Sequence, residues 1–267
     1  MKDENPPDLL NPSARLIFER AEAETVEYVT LRFTLEVKNP RKSPAILRIQ
    51  NWEIRINDQA LREGTVLVLE TPRPQVDAEG EAQFPLRLEM NLRHLRAQEA
   101  GTKTEYTGAL QIQAAFAFDS GGSAAAQVTS EAFFPRIQEP EFSIISIAVG
   151  RGGPEEKSSP QAKFRLGLLI DNPNLFPLEL SGLSYSFYGD GNFWAQGAHT
   201  ESLPIPAQAS VETYVYLLTN TAVPKQLAAL QAVQYRLTGE SRILTNMQYL
   251  PEFRMDFDLS GDSRLKD

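Results

Sequence analysis

The chain has 267 residues, of which 42% are apolar, and it carries a formal net charge of −9 and no cysteine. This length favours two domains of ordinary size, and the lack of cysteine excludes disulfides, thiolate metal sites and cysteine nucleophiles. Neither half has the basic excess that attracts a phosphate backbone, so no nucleic-acid partner is expected. No apolar run approaches the roughly 20 residues that a membrane-spanning helix requires.

The first residues, MKDENPPDLLNP, are polar and rich in proline. They lack the charged and then apolar pattern of a secretion signal. Two interpretations stay open at this point: the protein remains in the cytoplasm, or a leader has been removed from it.

A long repeat organises the chain. Residues 31–64 align without a gap on residues 164–197, at a constant offset of 133 positions. Residues identical in the two copies are Arg32, Leu35, Asn39, Pro40, Pro44, Leu47 and Gly64. A looser match relates 79–90 to 208–219, so the chain is a tandem duplication of a unit of about 130 residues. We predict the domains at 1–138 and 139–267.

Each unit has the pattern of antiparallel strands. Apolar and polar residues alternate over 31–37, 84–88 and 110–118, as expected for sheets with one buried face. The segments NDQ (57–59) and GDGN (189–192) have the residues of tight hairpin turns.

Two Asn-Pro pairs, at 39–40 and 172–173, are expected to end strands, because proline cannot donate to a ladder and asparagine can satisfy turn backbone with its side chain. In each following strand the apolar alternation slips by one residue, near Gln50 and near Gly182. A slip of this kind predicts a β-bulge or a strand that changes sheets. If Gly182 needs a positive φ, Gly182→Val should destabilise the second unit.

One helix is expected in each unit. The first is predicted over 92–101, with Asn91 as its N-cap, and the second over 223–233, after Thr221. The second helix would place Leu227, Leu230 and Val233 on one face.

The second copy resembles the late embryogenesis abundant type 2 family, which contains the WHy (water stress and hypersensitive response) domain. Residues that carry the resemblance are Asn172, Pro173, Asn174, Pro177, Leu178, Gly182, Leu183, Tyr185, Gly197, Pro204, Pro206, Tyr235 and Gly239. The first copy departs from the pattern at Arg41, Ala45 and Ile49.

The resemblance implies that each unit is an antiparallel β-sandwich of the immunoglobulin or fibronectin type III kind with one short helix. It also implies a non-enzymatic protein associated with desiccation and stress. Two-copy bacterial members of the family are often exported lipoproteins, which points to the cell envelope or periplasm and to a lipid anchor on an N-terminal segment missing here. A cytoplasmic location is the alternative.

The sequence contains no convincing catalytic, cofactor or metal constellation. The two histidines, His94 and His199, occupy different places in the repeat, so a shared role is not expected. Asp256 and Asp258 lie two apart and would share one strand face, where they could hold a cation. A solvated strand face is the favoured interpretation.

The candidate binding residues are aromatic and apolar. Phe193 and Trp194 are adjacent, so on a strand their side chains face opposite ways and one of them is expected at the surface. With Leu227 and Leu230 of the second predicted helix they form the candidate ligand or partner surface. Ordinary core packing is the competing interpretation.

The leading functional hypothesis is a non-catalytic, stress-related binding or protective protein with an unidentified protein or lipid partner. The alternative is a carrier that holds a lipid or another apolar ligand in a groove between the sandwich and the helix. An enzyme is the least favoured of the three classes.

Overall fold

The computed structural model describes residues 11–93, 95, 104–150, 163–218, 232–263 and 265–266. The chain divides into two compact units, residues 1–136 and 137–267, close to the division predicted after residue 138. The described residues are almost entirely in antiparallel strands.

The first unit contains nine described strands. They are β1 (Ser13–Ala23), β2 (Tyr28–Lys38), β3 (Ala45–Ile56), β4 (Gln59–Leu61), β5 (Thr65–Leu69), β6 (Gln75–Val76), β7 (Glu81–Asn91), β8 (Glu105–Phe118) and β9 (Ser123–Pro135). One sheet has the order β1-β2-β7-β5 and the other the order β4-β3-β8-β9, with β6 also paired to β3.

The second unit repeats this plan with nine described strands. They are β10 (Glu141–Gly150), β11 (Lys163–Asn172), β12 (Leu178–Gly189), β13 (Asn192–His199), β14 (Leu203–Ile205), β15 (Ala209–Leu218), β16 (Val233–Thr245), β17 (Glu252–Ser263) and β18 (Leu265–Lys266). Its sheets have the orders β15-β11-β10-β18 and β13-β12-β16-β17, with β14 paired to β12. Only β18 pairs in parallel, with β10.

Alternating apolar residues build the core of each unit. On β2, for example, Leu31, Phe33 and Leu35 are buried and the residues between them are not, because successive side chains of a strand point to opposite faces. In the second unit Phe164 of β11 meets Phe187 of β12 at 6.0 Å between ring centroids. The predicted immunoglobulin-like β-sandwich is confirmed.

The predicted hairpins and bulges are confirmed. Asn57 and Asp58 have positive φ, as do Asp190 and Gly191 at the matching turn. The pairing register of β3 with β8 shifts by one residue between Ile49 and Asn51. The pairing register of β12 with β16 shifts in the same way between Leu180 and Gly182.

The condition under which Gly182→Val was expected to destabilise the second unit, a positive φ at Gly182, is not met. Gly182 is absent from the positive-φ glycines among the described residues, and an added Cβ would meet only the Arg242 Cβ, at 3.9 Å. The bulge is made by the register shift and requires no left-handed backbone.

Most of the two predicted helices lies outside the described residues. Arg93 and Leu95 have helical backbone, and the Arg93 N–H donates to the Asn91 side-chain oxygen at 2.9 Å, which is the hydrogen bond of an N-cap. The second helix was predicted to reach Val233, and this limit is wrong: Val233 is the first residue of β16 and is buried. A β-branched residue at the start of an alternating run suits a strand.

The two units differ after their matching hairpins. In the first unit the chain leaves β4 after three residues, turns at Gly64 with a φ of +68°, and forms β5 on the edge of the other sheet beside β7. In the second unit β13 stays on β12 for eight residues. Gly197, which matches Gly64, therefore lies within a strand, and this difference shapes the candidate site.

Candidate functional site

An apolar groove opens in the first unit between the inner faces of β3 and β5. It is open to solvent, has a volume of about 480 Å³ and is lined by Leu47, Arg48, Ile49, Gln50, Trp52, Leu67, Leu69, Thr71, Pro72 and Pro74. Leu67, Leu69, Ile49 and Trp52 are only half-buried. These side chains point inward but are not covered by the core, so they form an apolar surface that a ligand could cover.

The strand switch explains why the groove is open. In the second unit Tyr185 takes the place of Trp52 and is buried, because its ring lies against Gly197 of β13 and its hydroxyl donates to the Tyr216 carbonyl at 3.3 Å. In the first unit the corresponding glycine, Gly64, turns the chain away from β3. Trp52 therefore lacks the strand that covers Tyr185.

The rim of the groove is polar. Arg48 and Gln50 are exposed beside the apolar lining. Within the described residues no carboxylate forms an ion pair with Arg48. An apolar floor with an arginine among the lining residues suits a molecule with an apolar chain and an anionic head, because arginine binds carboxylate and phosphate groups through several N–H donors.

The predicted aromatic pair does not form one surface. Phe193 is 49% exposed and packs edge-on against Tyr188, with 5.7 Å between ring centroids. Trp194 instead stacks on Phe164 at 5.4 Å and fills the space above Gly189, where an added Cβ would lie 2.1 Å from the indole. Trp194 is thus half-buried against the core aromatic rings, whereas Phe193 presents its ring to solvent.

The other candidate residues belong to both units. Leu227 and Leu230 lie outside the described residues, as does His94. His199 is half-buried at the end of β13. In the described ranges no group of three or more histidine, aspartate or glutamate residues could hold a metal ion.

The Asp256 and Asp258 pair lies on a solvated strand face, the interpretation favoured from the sequence. Both residues are exposed on β17, and Asp258 accepts from two nitrogens of Arg236, at 2.9 and 2.6 Å. These hydrogen bonds hold the pKa of Asp258 below its ordinary value.

Sequence reasoning missed the groove because it singled out no residue of 65–74 and sought the exposed aromatic side chain at Phe193 and Trp194. The available signal was the apolar run TVLVL followed by two prolines in TPRP. Prolines favour the edge of a sheet, where an apolar strand is less completely covered.

Comparisons with known proteins add little to this description. No family model matches the chain, and no curated protein matches it. Among solved structures, it is similar to a protein from Archaeoglobus fulgidus, with 15% identity and a TM-score of 0.31 over 46% of this chain and 98% of that one. The periplasmic chaperone SfaE is 14% identical with a TM-score of 0.23, over 96% of this chain and 100% of that one. Similarities this distant carry no argument about function.

Within the part of the chain that the structure describes, no helix has the length and apolarity needed to span a bilayer.

Proposed function

We propose that this protein is a non-catalytic binding protein whose first unit holds an amphipathic molecule, with its apolar chain in the groove between β3 and β5. The observation that carries the proposal is the set of inward-pointing but uncovered side chains: Ile49, Trp52, Leu67 and Leu69. In this proposal the apolar site lies between the two sheets of one sandwich, whereas the sequence suggested a site between the sandwich and a helix.

Apolar contact would drive binding in this groove. Each Å² of apolar surface that the bound molecule covers contributes roughly 25 cal/mol, and the entropy lost on association offsets part of the total. Arg48 at the rim would pair with an anionic head group and set the orientation of the chain.

Native mass spectrometry tests this function. The full chain is mixed with a total lipid extract, and we expect discrete added masses that are lost on denaturation. In Leu67→Gln the adducts should be lost, because the polar side chain enters the groove. The matched control is Val66→Gln, since Val66 lies next to it on β5 and is 53% exposed. A clean unliganded mass, or equal adducts in both variants, would contradict the proposal.

The family resemblance suggests a physiological setting for such binding. A stress-related, protective role in the cell envelope follows from that resemblance alone and is part of the proposal. Loss of desiccation survival in cells that produce only Leu67→Gln, with survival retained in Val66→Gln cells, would connect the groove to that role.

A further inference from the structure

The outer edge of β15 in the second unit has no partner strand among the described residues. β15 is the end strand of its sheet and pairs only with β11. Its register with β11 is uninterrupted over ten residues, and its sequence, ASVETYVYLL, contains no lysine or proline. Edge strands are usually protected by bulges, prolines or lysines, and β15 has none of these. Strand β13 of the other sheet approaches β15 but forms no ladder with it.

The backbone groups that face this edge can be identified. The Tyr185 hydroxyl donates to the Tyr216 carbonyl, so the backbone polar groups of Tyr216 point away from β11. Because these groups alternate along a strand, those of Glu212 and Tyr214 point outward as well. A carbonyl oxygen has two lone pairs, so Tyr216 can still accept a second hydrogen bond.

The first unit shows what occupies the same edge there. Strand β7 corresponds to β15, and β5 pairs with it antiparallel from Thr65 opposite Met90 to Leu69 opposite Leu86. The next residue, Glu70, donates its N–H to the Pro85 carbonyl at 3.0 Å. Its carboxylate accepts from Arg32 at 2.7 Å.

The second unit retains the complementary charge but lacks the strand. Arg32 pairs across the sheet with Arg87 in the first unit, and Arg165 pairs with Tyr216 in the second, so Arg165 occupies the position of Arg32. Arg165 is exposed, and its guanidinium lies 5.0 Å from the Tyr214 ring centroid. No carboxylate in the described ranges forms an ion pair with it.

We propose that β15 binds an extended peptide of a partner protein by β-strand addition, antiparallel to β15. The peptide has alternating apolar or β-branched residues followed by an acidic residue. By the register of β5, the acidic residue lies opposite Tyr214, donates its N–H to the Tyr214 carbonyl and pairs with Arg165. The ladder hydrogen bonds supply affinity, and the carboxylate sets the register.

The chain itself supplies a probe. A fluorescein-labelled peptide with the sequence of residues 63–71, EGTVLVLET, is titrated with the full-length protein, and anisotropy is measured. We expect saturable binding. Replacing the glutamate that corresponds to Glu70 with glutamine should weaken binding about three- to fivefold at low salt, as should Arg165→Gln in the protein. Combining both changes should give no further loss, because they remove the same ion pair.

Tyr216→Pro tests the ladder directly. The substitution removes the Tyr216 N–H, which points to the outer edge of β15 and does not bond to β11. Proline is tolerated at such a position, because Pro85 occupies an outward-facing position on the matching strand β7. We expect peptide binding to weaken about five- to tenfold. Arg254→Gln, on β17 of the other sheet, is the control and should bind normally. If Tyr216→Pro does not fold, the Arg165 cycle still decides the question.

Three results would overturn the proposal. One is no saturable binding of the peptide. A second is binding that neither Arg165→Gln nor Tyr216→Pro weakens, since the peptide would then lie elsewhere. The third is that sedimentation velocity shows a dimer, which the Tyr216→Pro substitution dissociates but the added peptide does not. That result would assign the β15 edge to a second copy of this chain.

Discussion

The carboxamides of Asn39 and Asn172, at matching positions of the two units, hold the same turn. Each side-chain nitrogen donates to the carbonyl four residues further on, that of Ser43 or Phe176, at 2.9 Å. Each side-chain oxygen accepts from the backbone N–H two residues further on. Both asparagines are buried. The Asn-Pro pairs thus end β2 and β11 by satisfying backbone groups that the strands leave unpaired.

Asn172→Ala should strongly destabilise the second unit. The carbonyls of Phe176 and Pro206 and the N–H of Asn174 would lose their partner, and each unsatisfied buried group costs about 1–3 kcal/mol. We expect about 3 kcal/mol from urea unfolding curves. Asn51→Ala is the control, because Asn51 is exposed, and it should change stability by less than about 0.5 kcal/mol. Equal effects would contradict this role of Asn172.

Two glycines of the second unit should respond oppositely to substitution. Gly182→Val should be close to neutral in melting temperature, because a Cβ there meets only Arg242 at 3.9 Å. Gly239→Ala should be severely destabilising, because its Cβ would lie 2.0 Å from the Ser184 carbonyl oxygen, and backbone must then move. Differential scanning calorimetry compares the two variants, and a large loss in Gly182→Val would show that the bulge needs glycine after all.

The carboxylate of Glu70 should stabilise the attachment of β5. It lies 2.7 Å from Arg32 and 3.5 Å from Arg87, and the three side chains are only about one-third exposed. We expect Glu70→Gln to cost about 0.5–1 kcal/mol at low salt and less at high salt. Glu81→Gln breaks the fully solvated Lys38 pair and should have no measurable effect. Identical salt responses would contradict the distinction.

Acid should remove a stabilising contribution at Asp258. The hydrogen bonds from Arg236 lower the pKa of Asp258 in the folded state. This contribution is present above the unfolded pKa of about 3.9, and it is lost as the pH falls through the lower folded value. In Asp258→Asn, melting temperature should therefore fall less steeply below about pH 4. A wild-type slope in Asp258→Asn would contradict the assignment.

Periodicity and the repeat were sufficient to predict several of the long strands, the two matching hairpins and both bulges. Alternation specifies which face a residue occupies, so the slips at Gln50 and Gly182 could be recognised directly. Alternation does not specify which strand is the neighbour. The run TVLVL at 65–69 and the segment at 192–199 follow matching hairpins, yet β5 joins one sheet and β13 the other.

The candidate site could not be predicted for the same reason. The groove depends on the turn that the chain makes at Gly64. The matching residue, Gly197, is also a glycine, but there the backbone continues as a strand. Phe193 and Trp194 were chosen as candidates because they are adjacent aromatic residues. Trp52 is left partly uncovered because β5 joins the other sheet. Its exposure is a tertiary effect that no local pattern encodes.

The central claim, that an apolar chain occupies the groove beside Trp52, can be tested with the two tryptophans of this protein. A fatty acid brominated along its chain is titrated into two single-tryptophan variants. Trp194→Phe retains only Trp52, and Trp52→Phe retains only Trp194. Bromine quenches tryptophan fluorescence only at close range. The account predicts saturable quenching of Trp52, reduced by Leu67→Gln, and little quenching of Trp194. Absence of quenching at Trp52, or equal quenching of both tryptophans, would contradict it.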